Sequence, residues 1–480
     1  MNLGERTKDL CRLIAHSANN WITLTGVVIT TGSGISLLWF WFMELTSSRG
    51  VNPYMGLLLF MFLPGVFLIG LALIPLGLWL RRRKQRKAGL LPAEYPKLDF
   101  RSPVAHRLIF LLGLATAANI AILGTASYKG IDYLDSSKFC GLTCHTPMAP
   151  EYAAFLNSPH SRVGCAQCHV GPGAGGFVRA KLTGMHQVYG IVFNNFSRPI
   201  PSPVETLRPA RETCEQCHWP QKFEGDKLVI RTKYANDEAN TATTSVLLLK
   251  IGGVTSQGLV GIHGRHLDST ERISYLHTDS KRLTIPKVTY RNDNGQMEDY
   301  LAQDAKPEAL ASGQERMMDC IDCHNRPTHA FELPERALDK AMVGGLINAN
   351  LPFVKKQATL ILKRDYPDQP TASLEIPRLL EAFYQANYPA ILAQKKAQVD
   401  QASEAVKAIY LRNVFPDMKL KWGEHPNHIG HEESLGCFRC HDGSHTSKSG
   451  KTIAADCSTC HIILAQDEKD PKILKDLGVR

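Results

Sequence analysis

Six times in 480 residues this chain sets down two cysteines and then, at once, a histidine. The segments are CGLTCH (Cys140, Cys144, His145), CAQCH (Cys165, Cys168, His169), CEQCH (Cys214, Cys217, His218), CIDCH (Cys320, Cys323, His324), CFRCH (Cys437, Cys440, His441) and CSTCH (Cys457, Cys460, His461). Histidine is 18 of 480 residues, so its presence after all six pairs by chance is on the order of one in a billion. Isolated cysteine pairs serve as zinc ligands, disulfides or redox dithiols, but none of these needs the histidine. Covalent haem does. Two thiols about one turn apart reach the two vinyl groups of one porphyrin, and the adjacent imidazole swings under the iron. Five motifs have that spacing and the first carries one extra residue, so the sequence predicts six covalently attached haem c groups.

The apolar residues are concentrated at the front. Trp21 to Thr46, Pro53 to Leu80 and Leu108 to Tyr128 are each long enough to cross a bilayer, and only Glu44, at the end of the first, brings a charge. Three transmembrane helices are therefore expected. Basic connections stay cytoplasmic. The run Arg81 to Lys87 (RRRKQRK), with Lys97 and Arg101, follows the second span, whereas the loop after the first offers only Arg49. With Arg6, Lys8 and Arg12 this puts the N-terminus inside and everything after Tyr128 in the periplasm, where c-type haem is attached. The first span has no small-residue cleavage site behind a short apolar core, so it reads as an uncleaved anchor. The net charge of +10 does not signal nucleic acid, because the densest basic run is explained by topology and faces anionic membrane lipids. Cys11 is the one unpaired cysteine and falls on the reducing side.

The expected fold class is a mainly α, membrane-anchored multihaem cytochrome c, with three transmembrane helices and an exported haem domain holding a small antiparallel β insertion. Residues 1–102 carry two spans and the basic loop, and 103–222 the third span and the first three motifs. Residues 223–312 form the haem-free β insertion, with strands at Lys227–Tyr234, Thr243–Ile251, Arg272–His277 and Leu283–Tyr290 and a turn signal at Asn294-Gly295. Residues 313–345 hold the fourth motif, 346–424 a helical segment periodic from Ala372 to Tyr410, and 425–480 the last two motifs.

Each iron needs a second axial ligand unless it is left open for substrate. Twelve histidines lie outside the motifs, and His16 and His106 are on the wrong side of the membrane. Of the ten others, His160 (five before Cys165), His329 (five after His324) and His445 (four after His441) stand nearest to motifs. GIHGRH adds His263 and His266, and HPNHIGH adds His428 and His431 beside His425. Met148, just after the first motif, offers a thioether that raises the reduction potential relative to two imidazoles.

These residues resemble the membrane-anchored multihaem cytochromes of the NapC/NirT/NrfH type, which take electrons from quinol. The likeness runs from about Leu108 to Phe331, through CGLTCHTPM, SPHSRVGCAQCH, FVRAKLTGMHQVYG, CEQCHWPQKF and CIDCHNRPTH. The three spans and the ending NHIGHEESLGCFRCHDGSH look like the larger ImcH-type inner-membrane variants of metal-respiring bacteria. The resemblance implies a first haem at the membrane surface beside a quinol pocket, with Met148 on its iron. It also implies a lysine and a carboxylate on the segment Lys181 to Tyr189, where this chain has His186 and Gln187 instead.

The residues alone reach a similar place. About a dozen residues separate the third span from Cys140, so that motif stays near the lipid headgroups. Quinol oxidation releases two protons, so a polar group must take them up there. His186 and Lys181, with Gln187 bonding the headgroup, are the candidates. The leading expectation is a quinol dehydrogenase that draws on membrane menaquinol and feeds a periplasmic c-type cytochrome or reductase during anaerobic respiration. The alternatives are a haem relay fed by a separate quinol-oxidising partner, or a terminal reductase of a small nitrogen oxyanion. The last needs an open or lysine-ligated haem, and no CxxCK motif is present.

Overall fold

The structure is a computed structural model, and it describes residues 20–46, 62–90, 103–143, 145–170, 174–203, 209–219, 223–255, 258–267, 273–292 and 294–479. Cys144, Cys11, His16, the basic residues Arg6, Lys8, Arg12, Arg49, Lys97 and Arg101, and positions 53–61 of the second apolar stretch lie outside the described residues. The chain divides into two units, Met1–His145 and Thr146–Arg480.

In the first unit the apolar stretches become helices α1 (Trp21–Thr46), α2 (Leu63–Lys87) and α3 (Pro103–Asp135). Among the described residues two helices, Trp21–Phe42 and Leu63–Lys87, are long and apolar enough to cross a membrane. Large apolar side chains such as Val28, Trp39 and Ile69 point outward, as lipid-facing residues do. Lipid gives helices no hydrophobic reason to associate, so α1 and α2 pack through small residues. A methyl group placed on Gly70 would lie 2.5 Å from Thr30 Oγ1 and one on Gly77 2.5 Å from Thr23 Oγ1. Leu37, Phe67 and Ile122, one from each helix, close a small buried cluster.

The second unit begins along α4 (His145–Leu156) and continues through α5 (Ala174–Val192). The expected β region follows with β1 (Lys227–Tyr234), β2 (Ala242–Leu249), β3 (Gly253–Thr255), β4 (Gly258–Val260), β5 (Ile273–His277), β6 (Lys287–Arg291), β7 (Met297–Leu301) and β8 (Gln314–Met317). Asn294-Gly295 makes its turn between β6 and β7, with Gly295 at φ +77°. The expected strand start at Arg272 lies outside the described residues. The region is not closed on itself. A sheet of order β1-β2-β10 takes its edge from β10 (His461–Glu468), the residues that follow Cys460. A second, of order β8-β5-β6-β7-β9, ends on β9 (Thr446–Ser447). All pairings are antiparallel.

Between motifs four and five lies a helical module of α6 (Pro334–Val343), α7 (Val354–Leu362), α8 (Gln369–Asn387) and α9 (Pro389–Asn413). Its apolar residues recur at helical spacing, so Ile376, Leu380 and Tyr384 of α8 meet Val399, Ala402 and Val406 of α9, all fully buried. Asp368 starts α8 by accepting a hydrogen bond from Thr371 N at 2.7 Å, and the Tyr388-Pro389 step separates it from α9.

Candidate haem-attachment sites

The second to sixth attachment motifs each form a tight turn. Cys165–His169, Cys320–Cys323 and Cys457–Cys460 are helical turns, Gly436–Arg439 is a 3-10 turn, and Ala210–Cys214 leads helically into the third motif. Carboxylates start two of them: Asp319 accepts from Ile321 N at 2.9 Å and Asp456 from Ser458 N at 2.6 Å. Cys140 lies in a single π-helical turn, Phe139–Thr143, just beyond α3. Cys168, Cys214, Cys217, Cys320, Cys323, Cys437, Cys440, Cys457 and Cys460 are free of a disulfide.

From the second to the sixth, successive motifs adjoin one another. Cys168 interacts with Cys214 and Cys217, the Cys214 and Cys320 thiols are hydrogen-bonded, Cys323 interacts with Cys437 and Cys440, and Cys460 with Cys437. Burial pushes the Cys323 and Cys440 thiols up to about 12, each helped by its cysteine neighbours.

Opposite the motif histidines stand other histidines. Ring centroids are 6.2 Å apart for His169 and His329, 6.0 Å for His218 and His160, and 6.2 Å for His324 and His263. They are 5.8 Å apart for His441 and His266, and 6.3 Å for His461 and His431. Two metal–imidazole bonds of about 2.0 Å, plus about 1.1 Å from each nitrogen to its ring centre, put two axial imidazoles about 6.2 Å apart. The pairs therefore fit a metal held between them. Among the described residues no group of three or more His, Cys, Asp or Glu converges on one point. Each pair thus offers two ligands, and a porphyrin would supply the other four.

The ring chemistry agrees. Nδ1 of His160, His266, His329 and His441 reaches a backbone carbonyl (Pro327 at 3.3 Å, Ile262 at 2.7 Å, Glu151 at 3.0 Å and Ala454 at 2.6 Å), which leaves Nε2 for a metal. Burial pushes His169, His263, His266, His324, His329 and His461 below the usual imidazole range. They stay neutral, the form that binds metal.

The other candidates belong to none of these pairs. His445 is 1 % exposed, and both its ring nitrogens are engaged, Nδ1 with Asp442 at 2.9 Å and Nε2 with the Ile285 carbonyl at 2.8 Å. His428 is buried beside Arg439 and the Asp322 backbone, and among the described residues it pairs with no motif histidine. Met148 is half-buried on α4, and the His145 side chain lies outside the described residues. His186 and Gln187 are exposed on α5; Lys181 is on the same helix, its side chain outside the described residues.

Sequence reading had no means of finding Asp322 and Arg439, each the residue before the second cysteine of its motif. Asp322, 1 % exposed, accepts from Tyr275 Oη at 2.6 Å, Arg316 Nε at 2.9 Å, Arg282 Nη1 at 3.0 Å and Asp319 N at 2.7 Å. Arg439 donates to the Asp322 carbonyl, to the Arg282 carbonyl at 2.9 Å and to the Gly436 carbonyl at 2.8 Å.

The N-terminal region of the NapC/NirT cytochrome c family matches residues 102–200. The cytochrome c-type protein ImcH of Geobacter sulfurreducens is 42% identical over 458 residues, covering 93% of this chain and 88% of that protein. No solved structure matches.

Proposed function

This chain belongs to the NapC/NirT-type cytochromes c, in the branch represented by ImcH, and as a membrane-bound c-type cytochrome with covalently bound haem c we propose that it is a quinol dehydrogenase. In this reading it oxidises menaquinol at the outer membrane surface and passes electrons through six haems to a periplasmic cytochrome or reductase. Bound haem supplies reversible one-electron carriers.

The observation that carries the proposal is the place of the first motif. Cys140 is five residues past Asp135, the end of α3, a distance of at most about 17 Å even fully extended. If α3 is the third crossing, with the N-terminus cytoplasmic, that motif stands where a lipid-soluble quinol arrives. His186 and Lys181 then take up the protons released, and Gln187 bonds the headgroup. His145 or Met148 ligates the first haem. His329, His160, His263, His266 and His431 are the second ligands at motifs two to six, a role supported by their separations from the motif histidines. Double ligation closes the irons to small substrates and suits them to electron transfer.

Anaerobic mixing of detergent-solubilised protein with a menaquinol analogue tests the proposal through the reduced c-haem absorption band. Rapid partial reduction is expected. Reduction by dithionite but by no quinol would overturn it and leave a relay fed by another protein.

A further inference from the structure

His263 and His266 lie three residues apart on one helical turn, Gly261–His266, yet face motif histidines that lie more than a hundred residues apart in the chain. His263 is opposite His324 with rings 17° from parallel, and His266 is opposite His441. One turn thus addresses two attachment motifs.

What fixes the turn is a crossing of backbone. The hairpin of β3 and β4 pairs Gly253 with Val260, and its two ends meet at Gly252 and Gly261. Ile262 N donates to the Lys250 carbonyl and His263 N to the Ile251 carbonyl, both at 2.9 Å. Gly252 sits at φ +44° and Gly261 at φ +65°, conformations that residues with a Cβ rarely adopt. A methyl group on Gly261 would lie 2.5 Å from the Lys250 carbonyl oxygen and 2.8 Å from Gly252 Cα, and one on Gly252 would overlap the Val260 carbonyl. Neither glycine accepts a side chain unless the turn moves.

We infer that the Gly252–Gly261 crossing positions the second axial ligands of the fourth and fifth haems together, so that the two irons gain or lose those ligands as one unit. The inference rests on the two-histidine ligation proposed above. Metal–ligand distances tolerate only about 0.2 Å, so a shift of the turn large enough to relieve either contact takes both imidazoles out of bonding range.

The test is G261A in the full-length protein, with H263A and H266A alongside. Haem content is counted after alkaline pyridine treatment, and spin state is read by electron paramagnetic resonance. G261A is expected to keep six haems and to turn two of them high-spin, matching the sum of the two histidine variants, and added imidazole is expected to restore the low-spin spectrum. A G261A protein with every haem low-spin, or with only one changed, overturns the inference. Should G261A fail to assemble, G252A, which strains the same crossing from its other side, decides: the inference requires the fourth and fifth haems to change together, and a change in only one of them overturns it. If H263A and H266A both leave the spectrum untouched, the ligation reading itself has failed.

Discussion

Removing the Asp322 carboxylate tests whether the ion-pair cluster at motif four stabilises the second unit. Asp322→Ala leaves Arg282, Arg316 and the Tyr275 hydroxyl without their shared acceptor. Breaking one side of a buried ion pair costs about 3–5 kcal/mol. Arg282 and Arg316 retain 14% and 25% of their side-chain exposure and regain some water, which places the cost near the lower end, about 3 kcal/mol. An unfolding entropy of about 2.1 cal/mol/K per residue over about 335 residues (Thr146–Arg480) is about 0.7 kcal/mol/K, so Tm should fall by about 4 °C. Thermal unfolding followed by circular dichroism, on samples matched for haem content, measures this. Asp322→Asn, which keeps one acceptor oxygen, should fall less. An alanine variant that melts with the wild type would refute the claim that this carboxylate neutralises half-buried guanidinium groups.

Burial lowers His425 and His428 to about 4, whereas the unfolded chain takes up the same protons near 6.5, so stability is complete above pH 6.5 and is lost as the pH falls toward about 4. Each should contribute a slope of about 1.4 kcal/mol per pH unit in that window, and His428→Leu should flatten the acid decline; an unchanged slope in denaturant titrations would count against it. Gly70→Leu should weaken α1–α2 packing by about 1–3 kcal/mol, seen as loss of thermal resistance in detergent, while Gly32→Leu, with nothing within 4 Å, should not. His186→Ala should slow quinol-driven haem reduction by about 10²-fold with the dithionite-reduced spectrum unchanged; equal rates would remove it from the proton path.

The helices were legible because their signals are local. The first apolar stretch and α1 share the same bounds, and the period-3.6 pattern from Ala372 to Tyr410 became α8 and α9. Strand β1 also appears at its expected residues. The edges of the two larger sheets were not legible. β10 begins at His461, within an attachment motif, and β9 has two residues, so pairing with distant strands makes them and no propensity announces them. The histidines show the same limit. His160 and His329 stand beside motifs in sequence, but His160 faces the third motif rather than the nearby second, and His329 faces the second rather than the nearby fourth. His445 is as close to its motif, yet it bonds the Ile285 carbonyl 160 residues away. Sequence proximity marks a histidine as available, and only the tertiary fold assigns it.

That fold solves a problem of chain length. The helical module separates motifs four and five by more than a hundred residues, and closing such a loop carries an entropic cost that grows slowly with its length. The adjacency of Cys323 with Cys437 and Cys440 therefore needs contacts that form only when the loop is closed. Arg439 provides them, with one guanidinium donating to carbonyls of Asp322, Arg282 and Gly436, so that the residue that shapes the fifth motif also reads the position of the fourth. The module's own core, from Ala337 to Val414, lets it fold as a block and shortens the effective loop to the segments on either side. In the proposed relay this keeps motifs two to six in chain order through space, although the chain between the fourth and fifth detours through four helices. A chain in which Arg439 is replaced by Leu should keep the helical module intact and lose the coupling between the fourth and fifth haems, read as a change in their interaction by electron paramagnetic resonance; intact coupling would mean that the Gly252–Gly261 turn alone holds the two motifs in place.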